Sequence, residues 1–345
     1  MSTAIKFKNR RLFYIDQTKL PLKEIYKECK SLNDGYWAIK KLRVRGAPLI
    51  GVFAAYCVYI AIKDFKGNNK DIFLGNLKKI ISFLKSCRPT AVNLSWALER
   101  IRGVVYNNRD KTVRYLKDLV LKEAQSIHKE DVGLCSKMAK MGVKLIKEGD
   151  KILTHCNTGW LATSGQGTAL GVIYEANRIY KNIKVYVNET RPLLQGARLT
   201  MWELTKRGVD AILISDNTAA YLFEQRKIDK VFVGADRVTA EGDIANKIGT
   251  YNSAVLAKFH NIPFYVVAPS SSFDLEIEKG EDIPIEEREP NEVRKILDRV
   301  YIAPKTVKVY NPAFDVTSHR LISAIVTDKG IIFSPFKRNI KKILI

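Results

Sequence analysis

The side chains best suited to chemistry stand where short apolar runs stop. Cys156 ends KILTHC, Glu189 lies near the end of KVYVNET, Asp216 ends AILISD and Asp236 ends KVFVGAD. After Cys156 the chain turns to glycine and small hydroxyl residues, and Gly159, Gly165 and Gly167 let backbone approach a ligand before helical spacing returns at Thr168. Taken alone, that stretch also reads as an ordinary strand-to-helix loop with a buried thiol. Asp216, followed by Asn217-Thr218, reads as a cap or turn residue. Asp236 differs: Gly234-Ala235 leaves room for a ligand, and Arg237 and Asn246-Lys247, at the opening of a further helix, add polar and positive groups. A thiol at a polar, glycine-rich helix start ionises more readily, and a carboxyl group in an apolar pocket less readily. Such a pair could move protons on a phosphorylated metabolite with neither metal nor cofactor.

Other chemistries fit less well. His155 should face away from Cys156 if the strand is regular, which disfavours a Cys-His protease. His128, His260 and His319 lie in no motif and read as structural or surface histidines. There is no GxxxxGK[ST], and no GxGxxG after the first strand of the sheet, so nucleotide phosphoryl transfer and dinucleotide redox chemistry recede. The five cysteines (Cys29, Cys57, Cys87, Cys135, Cys156) are odd in number and widely spaced; no zinc site is implied, and they read as free thiols, with a disulfide left open.

Anion-binding groups stand at two proline-marked helix starts. Arg45-Gly46-Ala47-Pro48 precedes an apolar helix, and Arg88-Pro89-Thr90 precedes Ala91 to Ile101; either arginine alone reads as surface charge. The uncharged run Ala47 to Ile62 is shorter than the roughly 20 residues of a membrane span and reads as a buried helix. Residues 1 to about 35 look like scaffold, with a strand at Leu12 to Ile15 and a helix start at Pro21; residues 63 to 150 carry helical patterns such as IFLGNLKKIISFL. After Gly149-Asp150, strand and helix signals alternate, which predicts a parallel sheet with helices on both faces. The expected division is a mainly helical domain over 1-149 and an α/β domain over 150-345. The N-terminus has no apolar signal core, which points to the cytoplasm.

The net charge of +22 is uneven, because residues 1 to 150 hold 31 Lys and Arg against 14 Asp and Glu. These cations are dispersed along helical patterns without aromatic interleaving, so a solvated basic surface is expected, not a specific nucleic-acid interface.

The blocks RGAPLIG (45–51), RPTAVNLSWAL (88–98), THCNTG (154–159), ETRPLLQGARLT (189–200), VGADRV (233–238), GDIANKIGTY (242–251) and IPIEERE (283–289) resemble those of the methylthioribose 1-phosphate isomerases, aldose-ketose isomerases of methionine salvage within the initiation factor 2B alpha/beta/delta-like superfamily. The resemblance covers nearly the whole chain. It implies a Rossmann-like C-terminal domain, a smaller, mainly helical N-terminal domain and a homodimer without cofactor. By the same resemblance Cys156 and Asp236 are the catalytic pair, and Arg45, Gly46, Ala47, Arg88, Gln195, Asn246 and Lys247 bind substrate. The chain departs from the commonest family wording at Thr158, Trp160 and Ala240-Glu241. Two alternatives stay open: a ribose 1,5-bisphosphate isomerase, and a non-enzymatic relative such as a regulatory subunit of translation initiation.

Overall fold

The structure, a computed structural model, describes residues 3–89, 91–180 and 182–344. The chain packs as two compact units: 1–134 with 160–167, and 135–159 with 168–345. The division falls between Leu134 and Cys135, inside a helix, so residues 135–149 group with the second unit and not with the first, as the Gly149-Asp150 punctuation had suggested.

The first unit begins with an antiparallel sheet of β1 (Ile5–Lys8), β2 (Arg11–Ile15) and β3 (Tyr26–Cys29), in which Ile5 faces Tyr14 and Leu12 faces Cys29. No helix starts at Pro21; the residue lies in a turn where the Asp16 carboxylate accepts from the Thr18 backbone N–H and hydroxyl. Proline permits a first helical turn, but without an apolar stripe behind it there is nothing to pack. Helices α1 (Leu32–Lys40), α2 (Ala47–Ile62), α3 (Lys70–Lys85), α4 (Val92–Asn107) and α5 (Val113–Gly142) follow. The helix α2 is apolar all round and buried almost throughout, as a helix with no polar face must be. It accepts α4 closely because Gly51 has no Cβ, and one there would overlap the Asn93 carbonyl.

The second unit holds seven sheet strands: β4 (Lys151–Thr154), β5 (Lys184–Asn188), β6 (Ala211–Ile214), β7 (Lys230–Val233), β10 (Phe264–Val267), β15 (Ala324–Val326) and β16 (Ile331–Ile332), in the order β16-β15-β10-β7-β4-β5-β6. All neighbouring pairs are parallel except β15 with β16, so the expected parallel sheet carries one antiparallel edge strand. Its strands are linked by α6 (Ala169–Tyr180), α7 (Met201–Lys206), α8 (Thr218–Glu224) and α9 (Thr250–Phe259). A second, smaller sheet was not foreseen: β8 (Arg237–Thr239) and β9 (Ile244–Lys247) form a hairpin flanked by β11 (Phe273–Asp274) and β14 (Phe314–Thr317). Further along the chain lie α10 (Asn291–Arg294), the short hairpin β12 (Lys295–Ile296) with β13 (Val300–Tyr301), and the terminal α11 (Phe336–Leu344). The core between sheet and helices is built from aliphatic and aromatic residues such as Leu153, Val231, Phe264 and Ile325, packed on Phe223, Ala254 and Ile340.

Candidate functional site

Chain order and sheet order disagree at one place. From β4 the chain builds outward through β5 to β6, then returns to lay β7 on the other side of β4. Helices leaving adjacent strands in opposite directions open a crevice at the carboxyl ends of those strands, and ligands of open α/β sheets bind there. In the β4–β7 register Thr154 faces Phe232; Cys156 comes two residues after the first and Asp236 four after the second. Cys156 and Asp236 thus each follow one of the two adjacent strands of this switch point. Both are partly exposed, in a region whose surroundings are largely buried.

Asp236 is held by its backbone, whose N–H donates to the Ala245 carbonyl at 2.9 Å and so ties it to β9. That strand carries the next two candidates. Asn246 is buried and donates from Nδ2 to Thr250 Oγ1 (3.0 Å); Lys247 donates from Nζ to the Ala313 carbonyl (2.6 Å) and lies over the Phe314 ring. These two residues therefore end a strand and do not open a helix, since α9 begins at Thr250. Alternation along a strand sends their side chains to opposite faces. Next to them Asp315, on β14 opposite Asn246, accepts from the Gly249 N–H (2.6 Å) and the Tyr251 N–H (3.1 Å), and burial raises its carboxyl group to about 6.

Gln195 follows β5 and precedes a π-helix, Gly196–Thr200, an irregularity found disproportionately at functional sites. Its side chain is buried, and the amide oxygen Oε1 has no hydrogen-bond partner among the described residues. A buried acceptor left in that state is costly unless a donor from elsewhere meets it.

Cys156 does not sit at a helix start, because α6 begins only at Ala169. The loop instead folds back: the Thr158 carbonyl accepts from Thr168 N–H (2.7 Å) and its hydroxyl from Leu170 N–H (3.2 Å), so Thr158 caps the first turn of α6. Cys156 has φ +63°, a left-handed conformation that non-glycine residues rarely adopt. Asp216 is structural, as expected; its two carboxylate oxygens accept from the Thr190 and Arg191 N–H groups, both at 2.8 Å.

The histidines are likewise structural. The buried His155 ring bridges the Ile248 carbonyl (2.8 Å) and Asn188 Nδ2 (3.1 Å), and burial lowers its pKa, which favours the neutral form. His128 meets Tyr56 OH (3.1 Å) and is lowered in the same way; His319 pairs with Asp243 (2.7 Å). Cys29 and Cys57 lie 3.9 Å apart as free thiols, and burial raises Cys57 well above its usual range. Among the described residues no three His, Cys, Asp or Glu side chains converge as metal ligands, and no helix is long and apolar enough to cross a membrane.

Arg45, Gly46, Ala47 and Arg88 belong to the first unit. Arg45 is buried and donates from Nε to Gln17 Oε1 at 2.8 Å. Gly46, at φ +99°, is the N-cap of α2 and backs onto Ala162; a Cβ there would overlap that residue's backbone. Neither α2 nor α4 has a side-chain cap, whereas Ser31 caps α1 and Asn69 caps α3. Because Gly51 lies against Asn93, the uncapped starts of α2 and α4 stand at the same end of the helix pair, with one arginine ahead of each. In α2 the Leu49 N–H already donates to the Ala162 carbonyl at 3.1 Å and Pro48 has no N–H, so the guanidinium groups are the groups here best suited to an anion.

The fold defines a class of mixed α/β proteins with a largely parallel sheet, and comparison narrows it. The match to the initiation factor 2 subunit family runs over residues 43–334, and the chain belongs to that family. A methylthioribose-1-phosphate isomerase of Thermoanaerobacter sp. (strain X514) is 52% identical over 340 residues, covering 99% of this chain and 98% of that protein. One of Carboxydothermus hydrogenoformans is 50% identical over 98% of this chain and 97% of its own length. Among solved structures, the 5-methylthioribose 1-phosphate isomerase of Pyrococcus horikoshii OT3 superposes with a TM-score of 0.91 at 43% identity, over 99% of this chain and 96% of that one. An A. fulgidus chain described as translation initiation factor eIF-2B, subunit delta, gives a TM-score of 0.87, also at 43% identity, over 100% and 99%.

Proposed function

We propose that this chain is an aldose-ketose isomerase converting S-methyl-5-thioribose 1-phosphate to S-methyl-5-thioribulose 1-phosphate in methionine salvage. The observation that carries the reading is the position of Cys156 and Asp236 after the two adjacent strands of the switch point, in a chain half identical, over nearly its full length, to proteins named for that reaction. Because C1 of this substrate is locked as a glycosyl phosphate, the ring cannot open to a free aldehyde. By proton transfer, the isomerisation then needs an acid at the ring oxygen and a base at C2.

In this reading the Cys156 thiolate takes the proton from C2, the electron pair forms the C1–C2 double bond, and the C1–O4 bond breaks as protonated Asp236 gives its proton to O4. The resulting phosphoenol loses its C2 hydroxyl proton to the Asp236 carboxylate while C1 takes a proton from Cys156. The C2 carbonyl forms and both groups return to their starting states. Direct hydride transfer from C2 to C1 is the other route.

Arg45 and Arg88, with the N–H groups around Gly46 and Ala47, hold the phosphate; Lys247 adds charge, and Gln195 and Asn246 meet sugar hydroxyls. The unpartnered Gln195 oxygen supports its share of that assignment. The enzyme works as a cytoplasmic homodimer. The A. fulgidus description keeps one rival in view, a subunit without turnover. Purified protein given methylthioribose 1-phosphate and ribose 1,5-bisphosphate in parallel should form ketose from the first only. Turnover of the second alone, or of neither, would overturn the reading.

A further inference from the structure

Glu203 is fully buried, with no exposed surface, in the second unit behind the Cys156 turn. A buried carboxylate is expensive unless its oxygens are met by donors, and here two donors converge. Asn157 Nδ2 donates to Oε1 at 2.9 Å and the Tyr174 hydroxyl to Oε2 at 2.8 Å. The tyrosine ring carries the Arg207 guanidinium at 4.7 Å, and its hydroxyl is pushed well above its usual pKa by burial and then by the Glu203 charge, so it stays a donor. Gly159 is packed so closely that a Cβ would overlap the carboxylate.

The network runs on to the thiol. Asn157 Nδ2 also reaches Thr200 Oγ1 (3.2 Å), one helical turn from Glu203 and on the same side. The Thr200 hydroxyl donates to the Cys156 carbonyl at 2.6 Å. On the other side the Cys156 N–H donates to Thr190 Oγ1 (2.8 Å), which donates in turn to the Asn188 carbonyl (3.0 Å). Both peptide groups flanking the Cys156 Cα are thereby fixed, and its left-handed backbone, a strained conformation for a residue with a side chain, is held from two directions.

We propose that Glu203 is a positioning residue for the isomerisation: through Asn157 and Thr200 it fixes the backbone of Cys156 and so sets where the thiol stands. The proposal rests on the isomerase reading for its kinetic arm and on geometry alone for its chemical arm. Glu203→Gln keeps the shape but replaces one carboxylate oxygen with an NH2 donor and removes the charge, so the Tyr174 hydroxyl must turn from donor to acceptor for Oε1 to keep Asn157, and the charge-assisted hold on Asn157 is weakened.

The test compares wild type, Glu203→Gln, Tyr174→Phe and Thr200→Ser for kcat, KM and the rate at which iodoacetamide alkylates Cys156, read by peptide mass spectrometry with circular dichroism as the folding control. Misplacing a reacting group by about 1 Å can cost on the order of 100-fold. We expect Glu203→Gln to lower kcat at least about ten-fold with KM little changed and to shift the alkylation rate several-fold. Tyr174→Phe should do the same to a smaller degree, and Thr200→Ser, which keeps the hydroxyl, should stay near wild type. A folded Glu203→Gln protein with wild-type kcat and alkylation rate overturns the proposal; if that variant does not fold, wild-type values for Tyr174→Phe do so instead. Absence of turnover by the wild type would count against the isomerase reading and leave the alkylation comparison to decide on Glu203.

Discussion

Cys156 and Asp236 could be singled out because reactive residues at strand ends are visible as interruptions of apolar runs, and the sheet order shows that these two, out of four candidates, follow the adjacent strands β4 and β7. Glu203 was not legible. In MWELTKRG it resembles any solvated helix charge, and only the return of the Asn157 loop and Tyr174 buries it. Thr190 and Thr200 were hidden for the same reason, since a hydroxyl that orients a distant backbone leaves no local pattern. If Cys156 and Asp236 act as base and acid, Cys156→Ser and Asp236→Asn should each reduce kcat by about 10²- to 10⁴-fold with unchanged circular dichroism. A two-fold effect would return both to ordinary structural roles. Arg88→Lys should also lose substrate affinity, measured as a raised KM, because an ammonium group cannot reproduce a guanidinium fork on phosphate. An unchanged KM would remove Arg88 from the phosphate-binding set.

At the scale of elements, the strands β4, β5, β7 and β10 were readable as apolar runs because they are buried, and β6 as an apolar run although its Ile212 and Leu213 are exposed; α2 was readable from its unbroken apolar sequence and α3 from the spacing of its buried face. The strands of the small sheet and the edge pair β15–β16 were not readable. They are two to four residues long, and their register comes from partners far along the chain, as when Asp315 faces Asn246. The buried Asp131 on α5 is a similar case, a carboxylate in a helical pattern whose partner, the Ser164 N–H at 2.5 Å, lies on a separate loop. Burial raises its pKa from 3.8 to about 6. A carboxyl raised in the folded state stabilises most below its unfolded value, and that contribution is lost as pH rises through about 6. Wild type should therefore lose stability relative to Asp131→Asn between about pH 4 and pH 6, by on the order of 3 kcal/mol at most. Thermal unfolding of both proteins at pH 4.5 and pH 7 measures it, and an equal difference at both values would show that Asp131 does not titrate there.

For the whole molecule the dominant feature is charge, +22 overall and concentrated in residues 1 to 150. Part of it is already engaged: Arg100 bridges Glu123 and Glu130, Lys85 meets Glu99, and Arg11 meets Glu28. The remaining lysines and arginines follow helical surfaces instead of forming one stripe, and Arg45, the best placed of them, is buried against Gln17. Backbone neutralisation of a nucleic acid would require many cations aligned along a single track, and its affinity would fall steeply with salt according to the number of phosphates contacted. A dispersed field instead concentrates small anions such as sugar phosphates near the surface and weakens as ions screen it over about 8 Å at physiological strength. Duplex and single-stranded DNA or RNA should accordingly show only weak retention at roughly 0.15 M salt, measured by fluorescence anisotropy, while kcat/KM for a phosphorylated sugar should decline as salt is raised. Sub-micromolar nucleic-acid affinity under those conditions would reassign the basic surface to a macromolecular partner, in line with the translation-factor description of the A. fulgidus relative.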